Sequence, residues 1–297
     1  MPSLDYSIVI ATFERPRELA VTLDSLAAQT HQPAQVIVVD SSPGSESRLV
    51  VEGASAKLPL TYLRAIRPSS AVQRNQGAEA VTSPLIVFLD DDVTLSPDVF
   101  DLLCCAFESD SEEKTAGVAA RIEGMQHPKP RGPLWWYYRL QAGYADVDYG
   151  ARLLGPAINT LPTYAEGSRD LIASEWLNST CVMYRTEIFR REKFPEFTGY
   201  SSMEDVHTSS RIRRHGALYF HRTALFQHHD APSSYKRDPR ALLRQRLRNQ
   251  RLIAHDILQV SEPLLTLKML LHRVFVSYCV LRGGNPQKWR EVVGAWT

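Results

Sequence analysis

Five apolar residues, Leu85 to Leu89, run directly into Asp90, Asp91 and Asp92. A short apolar run of this kind reads as a strand buried on both faces. Such a strand has no polar face to spare, which puts the three carboxylates at its C-terminal edge. In open α/β sheets that edge is where ligands bind. Crowded carboxylates repel one another unless a cation or solvent compensates. The triplet therefore reads in one of two ways. It is a site for a divalent ion, Mn2+ or Mg2+, that holds a phosphorylated substrate, or it is an acidic strand end followed by a helix cap.

The sequence on either side repeats one pattern. Tyr6 to Ala11, Val36 to Val39, Leu60 to Leu63 and Ala116 to Ala120 read as further strands. Helices are expected from Pro16 to about Gln29, over 45–55, from Ala71 to Ala80 and from Pro97 to about Phe107. Pro16 suits a helix's first turn, and Leu19, Leu23 and Leu26 then fall on one face. This alternation predicts an α/β fold, a mostly parallel sheet covered by helices. No GxGxxG follows the first strand and no GxxxxGK[ST] occurs, so a dinucleotide dehydrogenase and a P-loop enzyme fit poorly. Polar residues recur at the expected strand ends: Thr12 and Glu14, then Asp40, then Asp90 to Asp92. Strand ends from separate parts of the chain converge on one crevice. Asp40 suits a base imide N–H or a ribose hydroxyl, or else caps the turn from Ser41 to Gly44. Arg15 and Arg74 suit phosphate, or else are solvated surface arginines.

The runs YSIVIATFERP from Tyr6, VIVVDSSPG from Val36, RNQGAEA from Arg74, LIVFLDDDVTLSPD from Leu85 and GYSSMEDVHTSSRIRRHG from Gly199 occur in this order. Together they resemble the GT-A glycosyltransferases of family 2, over roughly residues 6–230. The resemblance implies a Rossmann-related, mostly parallel sheet flanked by helices. It also implies transfer of a sugar from a nucleotide diphosphate sugar, usually with inversion. On that reading Thr12, Glu14, Arg15, Asp40, Arg74, Asp90 and Asp91 form the donor side. Asp90 and Asp92 match the outer residues of an Asp-x-Asp motif, with Asp92 on the metal. Asp205 matches the catalytic base of a Glu-Asp motif. Ser41 departs from the pattern, since many members carry a second Asp there. A UDP- or dTDP-sugar is the favoured donor, and a glycan or lipid-linked acceptor the expected partner.

Residues 122–170 are the least regular stretch, rich in Gly, Pro and aromatics, including Trp135, Trp136, Tyr137, Tyr138, Tyr144 and Tyr149. A long loop of this kind is often functional. Its aromatics either meet an acceptor or pack an insertion. Trp135 and Trp136, with Trp176 and Glu204, make up the expected acceptor side. From Trp176 to Tyr184 the chain turns into a strand, and a short helix begins at Thr186. A helix opening near Met203 carries Glu204 and Asp205 in its first turn and ends at Gly216. There the pair is either favourable charge at a helix start or a general base that removes a hydroxyl proton. Ala224 to Gln227 reads as a strand followed by His228 and His229. Imidazole nitrogen suits Mn2+ beside carboxylates, and alternation favours His228, which shares parity with Phe226.

The overall charge of +1 hides an asymmetry. Residues 232–297 hold 12 Lys and Arg against 4 Asp and Glu, so the rest of the chain is about −7. Lys236, Arg237, Arg240, Arg244, Arg246, Arg248 and Arg251 begin this segment, and a strongly apolar helix is expected after Pro263, interrupted by Lys268, His272 and Arg273. The expected organisation is a catalytic domain over 1–231, donor half 1–121 and acceptor half 122–231, followed by a basic helical extension over 232–297. Residues 236–282 pack as core or as a homodimer contact, or lie on a membrane surface. No recognised nucleic-acid fold or basic and aromatic interleaving occurs, so nucleic acid is not an expected partner. No uninterrupted apolar run reaches transmembrane length. The first apolar stretch has no basic leader, and the four cysteines make no CxxC or zinc spacing. A reducing, cytoplasmic setting is expected, free or peripheral on the membrane. Two other classes stay open. One is a sugar-phosphate nucleotidyltransferase, which would normally carry a glycine-rich basic loop after the first strand; here that stretch, Thr12 to Pro16, has no glycine. The other is a non-catalytic sugar- or nucleotide-binding scaffold, which would not need Asp205.

Overall fold

The computed structural model describes residues 4–127, 129–143, 149–165, 167, 169–197, 202–231 and 238–283. Tyr144, the stretch 199–201, Lys236 and Arg237 lie outside the described residues. The elements in order are β1 (Tyr6–Thr12), α1 (Pro16–Ala27), β2 (Gln35–Asp40), α2 (Glu46–Ala54), β3 (Leu60–Arg64), α3 (Ser70–Glu79), β4 (Leu85–Asp90), β5 (Val93–Leu95), α4 (Val99–Glu108) and β6 (Thr115–Ile122). There follow α5 (Pro133–Ala142), β7 (Leu153–Leu154), β8 (Ile158–Asn159), β9 (Leu171–Ser174), β10 (Cys181–Arg185), α6 (Thr186–Arg191), α7 (Glu204–Ile212), β11 (Ala217–His228), α8 (Pro239–Asp256) and α9 (Glu262–Arg282). The described chain divides into two compact units. One comprises residues 1–125, 164–196 and 204–231, the other 126–163, 197–203 and 232–297.

The first unit is built on a nine-stranded sheet in the order β3-β2-β1-β4-β10-β6-β11-β5, with β9 also paired to β11. The first four strands pair in parallel, as their buried apolar runs require. Beyond them the sheet is mixed. Strand β10 lies antiparallel between β4 and β6, and β5 and β9 run antiparallel to β11. Strands β1, β2, β3, β4, β6 and β11 share one direction, so the sheet is mostly parallel by direction. Residues Ala217 to Thr223 also belong to β11, which is longer than its apolar end at Ala224 to Gln227 implies. Its early residues are mixed in burial, so no clean alternation marks them.

The core forms where the sheet meets its helices. Leu19, Leu23 and Leu26 of α1 are buried against it, as the spacing predicts. Helix α3 buries a small-residue face instead. A Cβ on Gly77 would lie 2.4 Å from Val9 Cγ1 and 3.1 Å from Val39 Cγ2, so α3 sits close on β1 and β2. That approach brings the longer residues of α3, Gln73 and Arg74, up to the strand ends. Gln73 Nε2 donates to the carbonyls of Thr12 (2.9 Å) and Val39 (2.7 Å).

The second unit joins part of the irregular stretch to the C-terminal helices. Tyr137, Tyr138, Tyr149 and Leu154 form its small core, packed by Leu271 and Phe275 of α9. The Tyr137 ring stacks on Phe275 at 3.9 Å between centroids, and its hydroxyl meets His272 Nδ1 at 2.5 Å. Much of the aromatic run is therefore packing. Asp238 caps α8, accepting from the N–H groups of Arg240 (3.0 Å) and Ala241 (3.1 Å). Helix α9 has 21 residues with a mean hydropathy of 1.6 over its most apolar window, long and apolar enough by composition to cross a membrane. Lys268, His272 and Arg273 break its apolar run, which is why no uninterrupted stretch shows in the sequence.

Candidate active site

Because β1, β2, β4 and β11 share a direction, their carboxyl ends share one edge of the sheet. Register makes this concrete: Thr12 pairs with Asp40, and Ala11 with Asp90. Thr12, Asp40, Asp90 and His228 each close a strand at that edge. Asp90, Asp92 and His228 each offer a ligand atom within 4.8 Å of the others. Two carboxylates and an imidazole form a donor set that suits a first-row divalent ion such as Mn2+. Asp90 joins this set in addition to its expected place on the donor side.

Asp92 is held from four sides. It accepts from Arg15 Nη1 (3.2 Å) and from the Ala231 N–H (2.9 Å), and lies 3.2 Å from His228 Nε2. Its own carbonyl accepts from the His229 N–H (3.0 Å). Burial by itself would raise the Asp92 carboxyl, but the bonds from His228 and the Ala231 N–H and the charge of Arg15 bring it below the usual range. The bond to Asp92 in turn raises His228 against the effect of burial. His229 points elsewhere, its Nε2 lying 2.8 Å from Thr94 Oγ1.

Asp91 turns inward. It is 4% exposed and accepts from Thr12 Oγ1 (2.7 Å) and Arg15 Nη1 (2.9 Å). Burial pushes its carboxyl up to about 6 despite those two partners. Arg15 also donates through Nη2 to the Ala231 carbonyl (2.6 Å). Asp91 and Arg15 therefore brace the acidic turn, where the sequence suggested donor contacts. Asp40 is likewise engaged. It is fully buried and accepts from the Ser42 N–H (2.8 Å), the Ser42 hydroxyl (2.5 Å) and the Tyr62 hydroxyl (2.9 Å). The turn-capping alternative is thus realised. Glu14 is exposed with a positive φ of 54°, and its N–H donates to Ser42 Oγ (2.7 Å).

On the other side of Asp90, the buried Arg74 links two elements. It donates through Nη2 to Asp90 Oδ1 (2.7 Å) and through Nη1 to Glu204 Oε1 (3.2 Å), with its guanidinium 5.4 Å from the Phe194 ring centroid. Ser70 Oγ also reaches Glu204 Oε1 (3.4 Å). Burial raises the Glu204 carboxyl against the pull of Arg74. Asp205, half-buried in the first turn of α7, accepts from the Val206 N–H (2.7 Å). The sequence marks both acids but not the salt bridge that engages Glu204, because Arg74 lies 130 residues upstream of it.

The tryptophans divide. Trp176 is 3% exposed and packs edge-on against Phe220 at 6.0 Å, so its ring serves the interior where an acceptor contact was expected. Trp136 is exposed and Trp135 half-buried on α5, both beside the Arg139 guanidinium (5.1 Å from Trp135, 5.4 Å from Trp136).

The fold is that of the GT-A glycosyltransferases. TarS from S. aureus, solved with UDP-GlcNAc, superposes with a TM-score of 0.59 at 16% identity over 98% of this chain and 79% of that chain. The mannosyltransferase PcManGT from Pyrobaculum calidifontis, solved with GDP-Man and Mn2+, gives 0.56 at 15% identity over 99% and 75%. At the level of sequence the chain belongs to glycosyl transferase family 2, whose model matches residues 7–191. It is 33% identical over 139 residues to the succinoglycan biosynthesis protein ExoM of Rhizobium meliloti, a match covering 45% of this chain and 43% of that protein. The matches span less than half the length of the curated relatives.

Proposed function

We propose that this protein transfers a sugar from a nucleotide diphosphate sugar to an acceptor hydroxyl in glycan synthesis, with inversion at the anomeric carbon. The observation that carries this reading is the Asp90, Asp92 and His228 group at the carboxyl edge of the sheet, with the Glu204–Asp205 pair joined to it through Arg74. Family membership and the nucleotide sugars held by structures of the same fold support it. Asp90, Asp92 and His228 would hold Mn2+ or Mg2+, and the imidazole favours Mn2+. When bound there, the ion would supply positive charge against the diphosphate leaving group.

The chain's own residues then have distinct tasks. Arg15 and the Ala231 N–H fix the Asp92 carboxylate. Arg74 engages Glu204 and holds it away from proton transfer. That leaves Asp205 to accept the proton of the incoming hydroxyl, a role that needs only a carboxylate within hydrogen-bond reach. A double displacement would need a further carboxylate nucleophile at the anomeric carbon.

Titration calorimetry of UDP, dTDP and GDP, each with and without Mn2+, tests the reading, with a UDP- or dTDP-sugar the expected donor. Asp92→Asn should abolish the Mn2+-dependent part of nucleotide binding in a chain that still folds. Unchanged binding by that variant would refute the metal assignment. NMR of the product anomer from a donor of known configuration tests the stereochemistry, and retention overturns inversion. Pyrophosphate release from a nucleoside triphosphate and a sugar phosphate would instead identify a nucleotidyltransferase.

A further inference from the structure

We propose that the outer face of α9, flanked by the arginines of α8, docks this protein on the surface of an anionic phospholipid bilayer. The inference does not depend on the transfer reaction. Helix α9 presents three faces. One packs on α5, where Tyr137 meets His272 and Phe275 and Gln141 Nε2 donates to the Lys268 carbonyl (2.9 Å). A second faces α8 across a groove of about 450 Å3. The third carries Leu264, Leu267, Leu270, Val274, Tyr278 and Leu281, all between 44% and 62% exposed. Their spacing of three or four residues lines them along one side of the helix for almost its full length, about 30 Å. A contiguous apolar stripe of this size marks an interaction surface.

Charge decides what covers it. The groove beside the stripe is lined by Arg244, Arg248 and Arg251 of α8 and Arg273 of α9, with Leu247 and Met269 at its floor. Residues 238–283 hold eight Lys and Arg against three Asp and Glu, a net +5. One of the three acids, Glu262, is paired with Arg251. Among the described residues, Arg273 Nε is buried with no hydrogen-bond partner. An apolar stripe beside a dense row of cations fits a surface that offers acyl chains beneath a layer of phosphates. Arginine stems lie along apolar surface while their guanidinium heads reach phosphate oxygens. Lys268 and His272 are half-buried on the side of α9 that meets α5, so its polar residues turn toward the protein and the apolar side is left outward, as in a helix lying in the interface.

The test is co-sedimentation of the full chain with vesicles of phosphatidylcholine alone or mixed with equal phosphatidylglycerol, at low and high salt. Binding to the anionic vesicles only, weakened by salt, is expected. Each basic residue at such a surface strengthens partitioning roughly fivefold. The double variant Arg244→Gln/Arg248→Gln should therefore bind about 25-fold more weakly. Leu267→Glu/Val274→Glu, placed at exposed positions, should abolish binding with an unchanged circular dichroism spectrum. Equal binding to neutral vesicles, or binding that high salt leaves intact, overturns the proposal. So does failure to bind at low salt, together with a dimer by light scattering that Leu267→Glu/Val274→Glu dissociates, which assigns the face to a second copy of this chain.

Discussion

Replacing Arg74 with Met removes one cation from between a buried carboxylate, Glu204, and a half-buried one, Asp90, and keeps most of the side-chain volume. The Asp90 and Glu204 side chains are 25% and 9% exposed, so Glu204 suffers more from the loss. Breaking a buried ion pair from one side costs about 3–5 kcal/mol, because the remaining charge keeps its desolvation penalty. For a cooperative unit of roughly 150–250 residues each kcal/mol lowers Tm by about 2–4 °C, which puts the expected fall near 10 °C. The penalty should also depend on pH. Burial already raises the Glu204 carboxyl, and without Arg74 it rises further. A carboxyl raised in the folded state adds stability at low pH and loses it as pH climbs through the folded value. The Arg74→Met penalty should therefore be small in acid and grow toward neutral pH. Adding Glu204→Gln removes the stranded charge and should recover part of the loss. Differential scanning calorimetry of the single and double variants across pH measures all three effects. A fall in Tm smaller than about 2 °C at neutral pH, or no recovery in the double variant, refutes the account of Arg74 as a buried bridge.

Asp205→Asn should lower transfer on the order of 10²-fold or more while leaving nucleotide affinity in place, read from steady-state rates beside calorimetry; activity equal to the parent moves the base to Glu204. His228→Ala should raise the Mn2+ concentration needed for half-maximal nucleotide binding. Asp40→Ala should destabilise the nucleotide-free protein by about 1–3 kcal/mol, since the Ser42 N–H and the Tyr62 hydroxyl lose their acceptor; an unchanged urea midpoint would argue against the turn role. Gly77→Ala should cost about 1–3 kcal/mol by the same measurement, because the new methyl meets Val9.

The sequence exposes what is local and periodic. The strands β1, β2 and β4 are apolar runs that end in polar residues, so both their place in the sheet and the edge carrying the site could be read from the chain. Helix α1 announces itself by Pro16 and three leucines. Strand β5 is three residues long and β9 four, too short for a pattern to emerge. The antiparallel course of β10 is invisible for another reason: a buried central strand reads the same in either direction. At the candidate site, residue types at or beside strand ends point to Asp90, Asp92 and His228. Which carboxylates face outward depends on partners far along the chain. Asp91 is claimed by Thr12 and Arg15, Asp40 by Tyr62 and Ser42, and Glu204 by Arg74. Tyr62 and Ser42 carry no signal beyond being hydroxyls, so the burial of Asp40 could not be foreseen. The burial of Trp176 against Phe220 carries no sequence signal, because a tryptophan in a loop reads the same whether it meets a ligand or the interior.

The insertion of β10 between β4 and β6 has a consequence for how the protein is made. A nascent chain that has emerged only as far as β6 can pair β1 to β4, but the outer edge of β4 has no neighbour until Cys181 to Arg185 arrive. Among the described residues strand β6 pairs with β10 and β11, both later in the sequence, so it too waits for them. During synthesis β4, apolar from Leu85 to Leu89, therefore carries a bare row of backbone donors and acceptors, open to another chain. Asp92 and His228 meet across 136 residues, and pairings of such long range form slowly. A product truncated before His228 would hold most of the sheet and both carboxylates of the candidate group but lack its imidazole.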